Sequence, residues 1–173
     1  MSIENTQPNN VNMLSPTAFR FTLQRTPHIN YFTYNVPVPS ISLGELTQPT
    51  PLLNLPVPSD KLIFEPLALR FRVDEDLKNY LEIFNWLNTL GTPETLDNSA
   101  WKQNQQTYKS SGVFSDGTLL VLTSKQNMNL RIKFFDMFPI NLTELTFDAS
   151  LADIEYLEST ATFRYTHFEI ETL

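Results

Sequence analysis

The sequence has 173 residues, a length that fits one domain with a substantial hydrophobic core. It contains no Cys, two His and four Gly, which excludes disulfides, thiolate or multi-His metal centres and glycine-rich phosphate loops. The net charge of −7 opposes tight binding to a nucleic-acid backbone. Neither a signal peptide nor a membrane-spanning segment is recognisable, so we expect a protein that is made and kept in a reducing cytoplasm.

The N-terminal part of the chain is predicted to contain an arm and two strands. Residues 1–14 are polar and rich in Asn, which is typical of a mobile arm, and residues 15–173 are expected to form a single domain. Residues 18–25 alternate between apolar and polar side chains, which predicts a strand with one buried face. Residues 30–36 have the aromatic and β-branched composition of a second strand.

The segment 36–58 is unusual because it holds six of the 12 prolines. Since proline has no backbone N–H group, this segment cannot be a central strand or a helix, and we expect an extended loop. Its large aliphatic residues must be buried either over the core of the same chain or against another subunit. We favour the second alternative. The predicted subunit-interface residues are Ile41, Leu43, Leu46, Leu52, Leu53, Leu55 and Val57.

A change of hydrophobic period marks the middle of the chain. Residues 67–73 alternate as a strand, and apolar residues then recur at helical spacing, which predicts one helix over about 75–90. Asp74 is expected to cap the start of this helix, and Gly91 to end it. The polar residues 92–111 are predicted to form a loop.

Three strands are predicted in the remainder of the chain, over residues 118–124, 128–135 and 159–170. The second strand is expected to end at residues 136–139. The apolar phase shifts inside the third, which indicates a bulge or two buried faces. The whole pattern predicts a mainly β protein, an antiparallel β-sandwich or small barrel with one flanking helix.

No arrangement of residues indicates catalysis. His167 lies within a predicted strand, and His28 follows a proline and has no acidic neighbour in sequence. The close carboxylate pairs are explained as a helix cap and a strand end, and the basic residues do not cluster. We therefore predict no catalytic residue, no metal site and no cofactor. An arm, a stiff apolar segment and many strand edges are natural in a protein that assembles into rings or stacks.

The negative charge is concentrated near the C-terminus. Residues 136–173 contain eight acidic residues and only one basic residue, whereas residues 1–135 are neutral overall. Such a region is either an ordinary solvated surface or a surface that repels nucleic acid.

The order of elements in the C-terminal half points to a family. A strand is followed by an aromatic residue, Asp, an apolar residue and Pro, then by a Leu-rich piece and a closing strand rich in aromatic residues. These residues are Phe135, Asp136, Phe138, Pro139, Leu142, Leu145, Phe147 and Asp148, followed by Thr162, Phe163, Tyr165 and Phe168. Over residues 15–172 the sequence resembles the tail tube proteins of contractile-tailed bacteriophages of the T4-like type.

The resemblance implies a β-sandwich or barrel protomer with a flanking helix, which forms stacked hexameric rings in the inner tube of a phage tail. Its implied partners are further copies of itself, the tail sheath protein, and the baseplate tube-initiator and tail-terminator proteins. DNA and the tape-measure protein would pass through the lumen, and assembly would take place in the host cytoplasm. The alternatives are a baseplate tube-initiator or tube-capping homologue, an injection-system tube protein, or a carbohydrate-binding or hydrolytic β-sandwich of a virion.

A lumen that conducts DNA would be expected to have an acidic wall, because such a wall repels phosphates. The predicted lumen residues are Glu144, Asp148, Asp153, Glu155 and Glu158.

Overall fold

The fold is taken from a computed structural model, which describes residues 12–91, 113–150 and 156–173. The elements in chain order are β1 (Phe19–Leu23), α1 (Pro27–Phe32), β2 (Thr33–Asn35), β3 (Ile41–Pro49), β4 (Asn54–Phe64), β5 (Leu67–Arg72), α2 (Lys78–Gly91), β6 (Ser115–Leu122), β7 (Met128–Leu142), β8 (Glu158–Arg164) and β9 (His167–Thr172). Residues 1–11 of the predicted arm and the whole loop predicted at 92–111 lie outside the described residues.

Seven of the described strands form one antiparallel sheet that nearly closes into a barrel. The strand order is β1-β6-β7-β8-β5-β2, and β9 pairs with the first part of β7. The remaining two strands, β3 and β4, pair only with each other within the described chain. The prediction of a mainly β antiparallel fold is therefore confirmed, although two helices accompany the barrel where one was expected.

The core of the barrel follows the alternation that the sequence predicts. Along β5, Leu67, Leu69 and Phe71 point inwards and are fully buried, while the arginines between them are exposed. The same alternation buries Phe21 and Leu23 in β1. Alternate side chains of a strand lie on opposite faces of the sheet, so a regular hydrophobic pattern is sufficient to fix which face is buried.

The prediction of a strand over residues 30–36 is wrong for its first half, because α1 occupies residues 27–32. Pro27 stands at the start of this helix, where its fixed φ angle suits the first turn. The Asn30 side chain accepts a hydrogen bond from the Leu23 amide (2.7 Å) and donates one to the Leu23 carbonyl (3.3 Å). These two bonds and the burial of Ile29 hold the helix against the end of β1, and local composition does not reveal them.

The second helix begins a few residues later than predicted. Leu77 has a left-handed backbone (φ 57°), so α2 starts at Lys78 rather than near residue 75. The predicted capping role of Asp74 is retained, because its carboxylate accepts a hydrogen bond from the Asn79 amide (3.1 Å). The apolar stripe of α2 is wider than its buried face. Ile83 and Trp86 are buried, but Leu81 and Phe84 are nearly half exposed.

β7 continues through the residues where it was expected to end. Asp136 adopts a left-handed conformation (φ 54°), and this kink lets one long strand pair with β6 and β9 before it and with β8 after it. The final strand, predicted as one element with a phase shift, is two strands that meet at residues 165–166. At the phase shift, the chain stops pairing with the second half of β7, as β8 does, and begins to pair with the first half, as β9 does.

Candidate assembly surface

The segment predicted as an extended loop is a β-hairpin, which corrects the sequence-based expectation. β3 and β4 pair along most of their length, from Ile41–Phe64 to Pro49–Asn54, with an irregularity near Gly44. We call residues 41–64 the hairpin. The proline content excluded a central strand, and neither strand is central, since each of the two has a free edge in the described chain.

The positions of the prolines explain how the hairpin forms. The Thr50 amide donates to the Leu53 carbonyl (3.1 Å), and along an antiparallel ladder hydrogen-bonded pairs alternate with pairs that are not bonded. Pro49, Pro56 and Pro58 therefore stand at positions where no ladder bond forms, and their nitrogens point away from the partner strand. The hairpin loses no internal hydrogen bond to these prolines.

All seven predicted interface residues lie on the hairpin and are exposed. Their relative exposures run from 37% for Val57 to 94% for Leu52. They do not cover the core of their own chain, so the first alternative for burying them is not realised in the described structure. The subunit contact itself stays a prediction.

The outer half of the hairpin has one aliphatic face. Residues that pair directly across two strands share a face of the sheet, and the register pairs Leu46 with Val57 and Gln48 with Leu55. The aliphatic side chains on this face are Leu46, Leu53, Leu55 and Val57. No residue from 46 to 57 is charged, so this region can be buried without desolvating an ion.

A groove lies where the barrel does not close. The two end strands of the sheet, β1 and β2, are not paired with each other. Between them is a groove of about 230 Å³, lined by residues 14–16, 18, 19, 34–36, 38, 119 and 121. We call it the seam groove. None of its lining residues is charged.

The predicted lumen residues fall in different surroundings. Glu144 and Asp148 are exposed, and hydrogen bonds from the Ser150 hydroxyl and amide lower the pKa of Asp148, which keeps it ionised. Glu158 accepts a hydrogen bond from the Tyr34 hydroxyl (2.6 Å) and lies 3.9 Å from Arg72. Asp153 and Glu155 lie outside the described residues. Which of these carboxylates face a lumen stays a prediction.

Part of the acidic C-terminal region is neutralised by the rest of the chain. Glu171 of β9 accepts hydrogen bonds from Lys133 (2.7 Å) and Arg131 (3.4 Å) of β7. The bond from Lys133 is the main cause that lowers the pKa of Glu171. The sequence shows a block of negative charge, but the register of β7 and β9 brings basic side chains from the neutral region beside it.

One histidine contacts a carboxylate, and the other stacks on an aromatic ring. His28 Nδ1 lies 2.5 Å from a carboxylate oxygen of Glu82 on α2, a partner too far away in sequence to be found by inspection. His167 stacks on Phe135, with ring centroids 4.6 Å apart. Within residues 12–91, 113–150 and 156–173 no group of three His, Asp or Glu could hold a metal ion, and no helix is long and apolar enough to cross a membrane.

Comparison with known proteins relates the chain to terminators of contractile tails. No family model matches it. In sequence it is 29% identical to the tail tube terminator protein of Enterobacteria phage T4 over 169 residues, which cover 92% of this chain and 90% of that protein.

Two solved structures show where the fold is found. The tube-terminating cap of the anti-feeding prophage superposes with a TM-score of 0.66 at 16% identity over 100% of both chains. A chain of the sheath-tube complex of an extracellular contractile injection system superposes with a TM-score of 0.63 at 14% identity over 93% of both chains.

The structural similarities show the fold, a nearly closed antiparallel barrel that this chain shares with both of these solved chains. The sequence similarity extends over almost the whole chain. The chain is thus similar in sequence to a tail tube terminator and in fold to a tube-terminating cap.

Proposed function

We propose that this chain is the terminator of the tail tube in a contractile phage tail, a ring that caps the tube. The observation that carries the proposal is the sequence relation to the T4 tail tube terminator, which extends over nearly the full length of both proteins. The expectation of a bulk tube subunit has less support than its alternative, a tube-capping homologue.

Two exposed surfaces of the described chain support the proposal of a ring of copies. The hairpin carries nine exposed aliphatic residues, among them the seven predicted interface residues, and the barrel has an unclosed seam. A head-to-tail interface repeated by rotation closes a ring, which removes exposed edges and exposed apolar surface together. We propose that the hairpin forms this interface and that the ring has six subunits, as the family resemblance implies.

The proposed partners of the ring are the tube and the sheath of the tail. The similar solved chains come from assemblies described as a sheath-tube complex and as a sheath/tube terminator, the latter with a TM-score of 0.62 at 16% identity over 94% of this chain and 99% of that one. DNA and the tape-measure protein pass through the ring only in transit. An acidic lumen that includes Glu144 and Asp148 would keep phosphates from adhering.

Electron microscopy of the purified protein over a range of concentrations tests this proposal. A terminator is expected to form closed rings that do not elongate, because only one ring face is built to bind the tube. A bulk tube subunit would stack into tubes whose length increases with concentration. Tubes would favour the alternative, and monomers at every concentration would contradict ring formation altogether.

A further inference from the structure

We propose that the outer half of the hairpin of one subunit docks into the seam groove of the neighbouring copy, with Leu53 and Leu55 entering the groove. This inference rests on the proposed function, because it specifies which surface receives the hairpin in the ring. The occupant is a second copy of this chain, not the tube or the sheath.

The hairpin cannot fill the groove of its own chain. β3 has nine residues, so its outer end lies roughly 30 Å from its base at a rise of about 3.4 Å per residue. Val38 lines the groove only three residues before the base of the hairpin. The tip leucines are exposed in the described chain (Leu52 94%, Leu53 57%), so they need a partner outside it.

The distribution of charge suits another copy of this chain as the partner. Two copies that each carry −7 repel one another unless they meet through neutral surfaces. Residues 46–57 and the lining of the seam groove contain no charged residue. These two surfaces can therefore meet without burying an unpaired ion.

The shape of the groove suits aliphatic side chains. Its walls include Leu14, Phe19, Leu119 and Val121, and its volume is about 230 Å³. An apolar cavity of about 150 Å³ already holds a benzene molecule, so this groove is large enough for a leucine side chain. The rim is polar where the Tyr34 hydroxyl donates to Glu158, as expected of an interface with an apolar centre and a polar edge.

The free edge of β4 is poorly suited to pairing with a strand of another chain, which favours docking of the hairpin through its side chains. Pro56 and Pro58 occupy successive outward-facing positions on the free edge of β4, and an edge without N–H donors is a poor template for another strand. The aliphatic face with Leu46 and Leu55 remains available for contact.

Disulfide cross-linking tests this contact directly, because the chain has no cysteine of its own. Leu53→Cys and Val38→Cys introduce single thiols at the hairpin tip and in the groove, and the double variant carries both. A disulfide needs Cα atoms within about 7 Å, so the hairpin length excludes a bond between these positions inside one chain. We expect the oxidised double variant to form a ladder of covalent oligomers on non-reducing gels.

The single variants are the matched controls. Alone, each is expected to stay monomeric on the gel, and an equimolar mixture of the two is expected to give dimers but nothing larger. A second variant, Leu53→Asp, is expected to weaken self-association about tenfold or more, as for a buried interface anchor. Leu81→Asp, at an exposed leucine of α2 outside the hairpin and the groove, is the control for the same change of charge.

Electron microscopy of the same samples separates this inference from the proposed function. Rings without a ladder in the double variant would overturn the groove contact and leave the terminator proposal standing. Equal cross-linking of a single variant and the mixture would also overturn it, since it would show a symmetric or random contact. If the samples showed no rings and no cross-links, both proposals would be overturned.

Discussion

The barrel and the hairpin bury their apolar residues in opposite ways. In the barrel, alternate strand residues such as Leu69, Phe71 and Phe134 are fully enclosed by the chain itself. In the hairpin, a comparable set of aliphatic residues lies in solvent while the backbone is regularly paired. The barrel therefore supplies the core that stabilises the fold, and we propose that the hairpin contacts other chains. This difference predicts that substitutions in the two regions affect different measurements.

The largest effect on stability is expected in the barrel core. Phe134→Ala removes a ring that is 0% exposed and packs against Tyr165 and Phe168, so it should reduce the free energy of unfolding by about 3–5 kcal/mol. Denaturant unfolding of the protein measures this value. Phe84→Ala is the matched control because Phe84 is 44% exposed on α2. Equal losses at the two positions would contradict the location of the core.

A smaller loss is expected at the junction between β5 and α2. The fully buried Asn79 side chain donates to the Arg72 carbonyl (2.8 Å), and its amide donates to Asp74. Asn79→Ala leaves the Arg72 carbonyl without this partner and removes a fully buried side chain, and it should cost about 1–3 kcal/mol. Thermal or denaturant unfolding provides the measurement, with the exposed Asn85 on the same helix changed to Ala as control. A loss no greater than the control's would show that this junction contributes little.

The hairpin should give the reverse result. Leu53→Ser is expected to change the unfolding free energy of the monomer by less than about 0.5 kcal/mol, as for other exposed sites. The same variant should impair the association of subunits, because it removes an aliphatic side chain proposed to be buried there. Unfolding and sedimentation measured on one preparation compare the two effects. A large loss of monomer stability with intact association would reverse the assignment of the two regions.

The smallest effect is expected at the β7–β9 surface. The hydrogen bond from Lys133 lowers the pKa of Glu171 in the folded state. Its stabilising contribution is therefore present above the ordinary value of 4.5 and is lost as the pH falls through the lowered folded pKa. The stability difference between wild type and Glu171→Gln should shrink in acid. Glu75→Gln, at an exposed position, is the control. A stability difference between wild type and Glu171→Gln that grows in acid would contradict the lowered pKa of Glu171.

The predictability of each region from sequence follows from the range of its interactions. Regular alternation was sufficient for β1 and β5 because it depends only on neighbouring residues. The helix at 27–32 was missed because the bonds between Asn30 and Leu23 form only in the folded chain. The extension of β7 was missed because Asp136 takes a left-handed conformation that serves pairing with β8 and β9.

The hairpin shows both the power and the limit of reasoning from composition. Proline density excluded a central strand, yet the three prolines in its ladder are spaced so that none removes a ladder bond. That spacing becomes informative only once the register is known. The aliphatic content led to the prediction of seven interface residues, and all seven are exposed, but their contact with another subunit stays a prediction.

The location of the protein in an intact tail tests the central claim most directly. Tails that carry this chain with a small C-terminal tag can be decorated with gold-labelled antibody and imaged by electron microscopy. The terminator proposal predicts gold at one end of the tube only, with a number of copies that does not change with tail length. Gold distributed along the whole tube would contradict it and identify the chain as a bulk tube subunit.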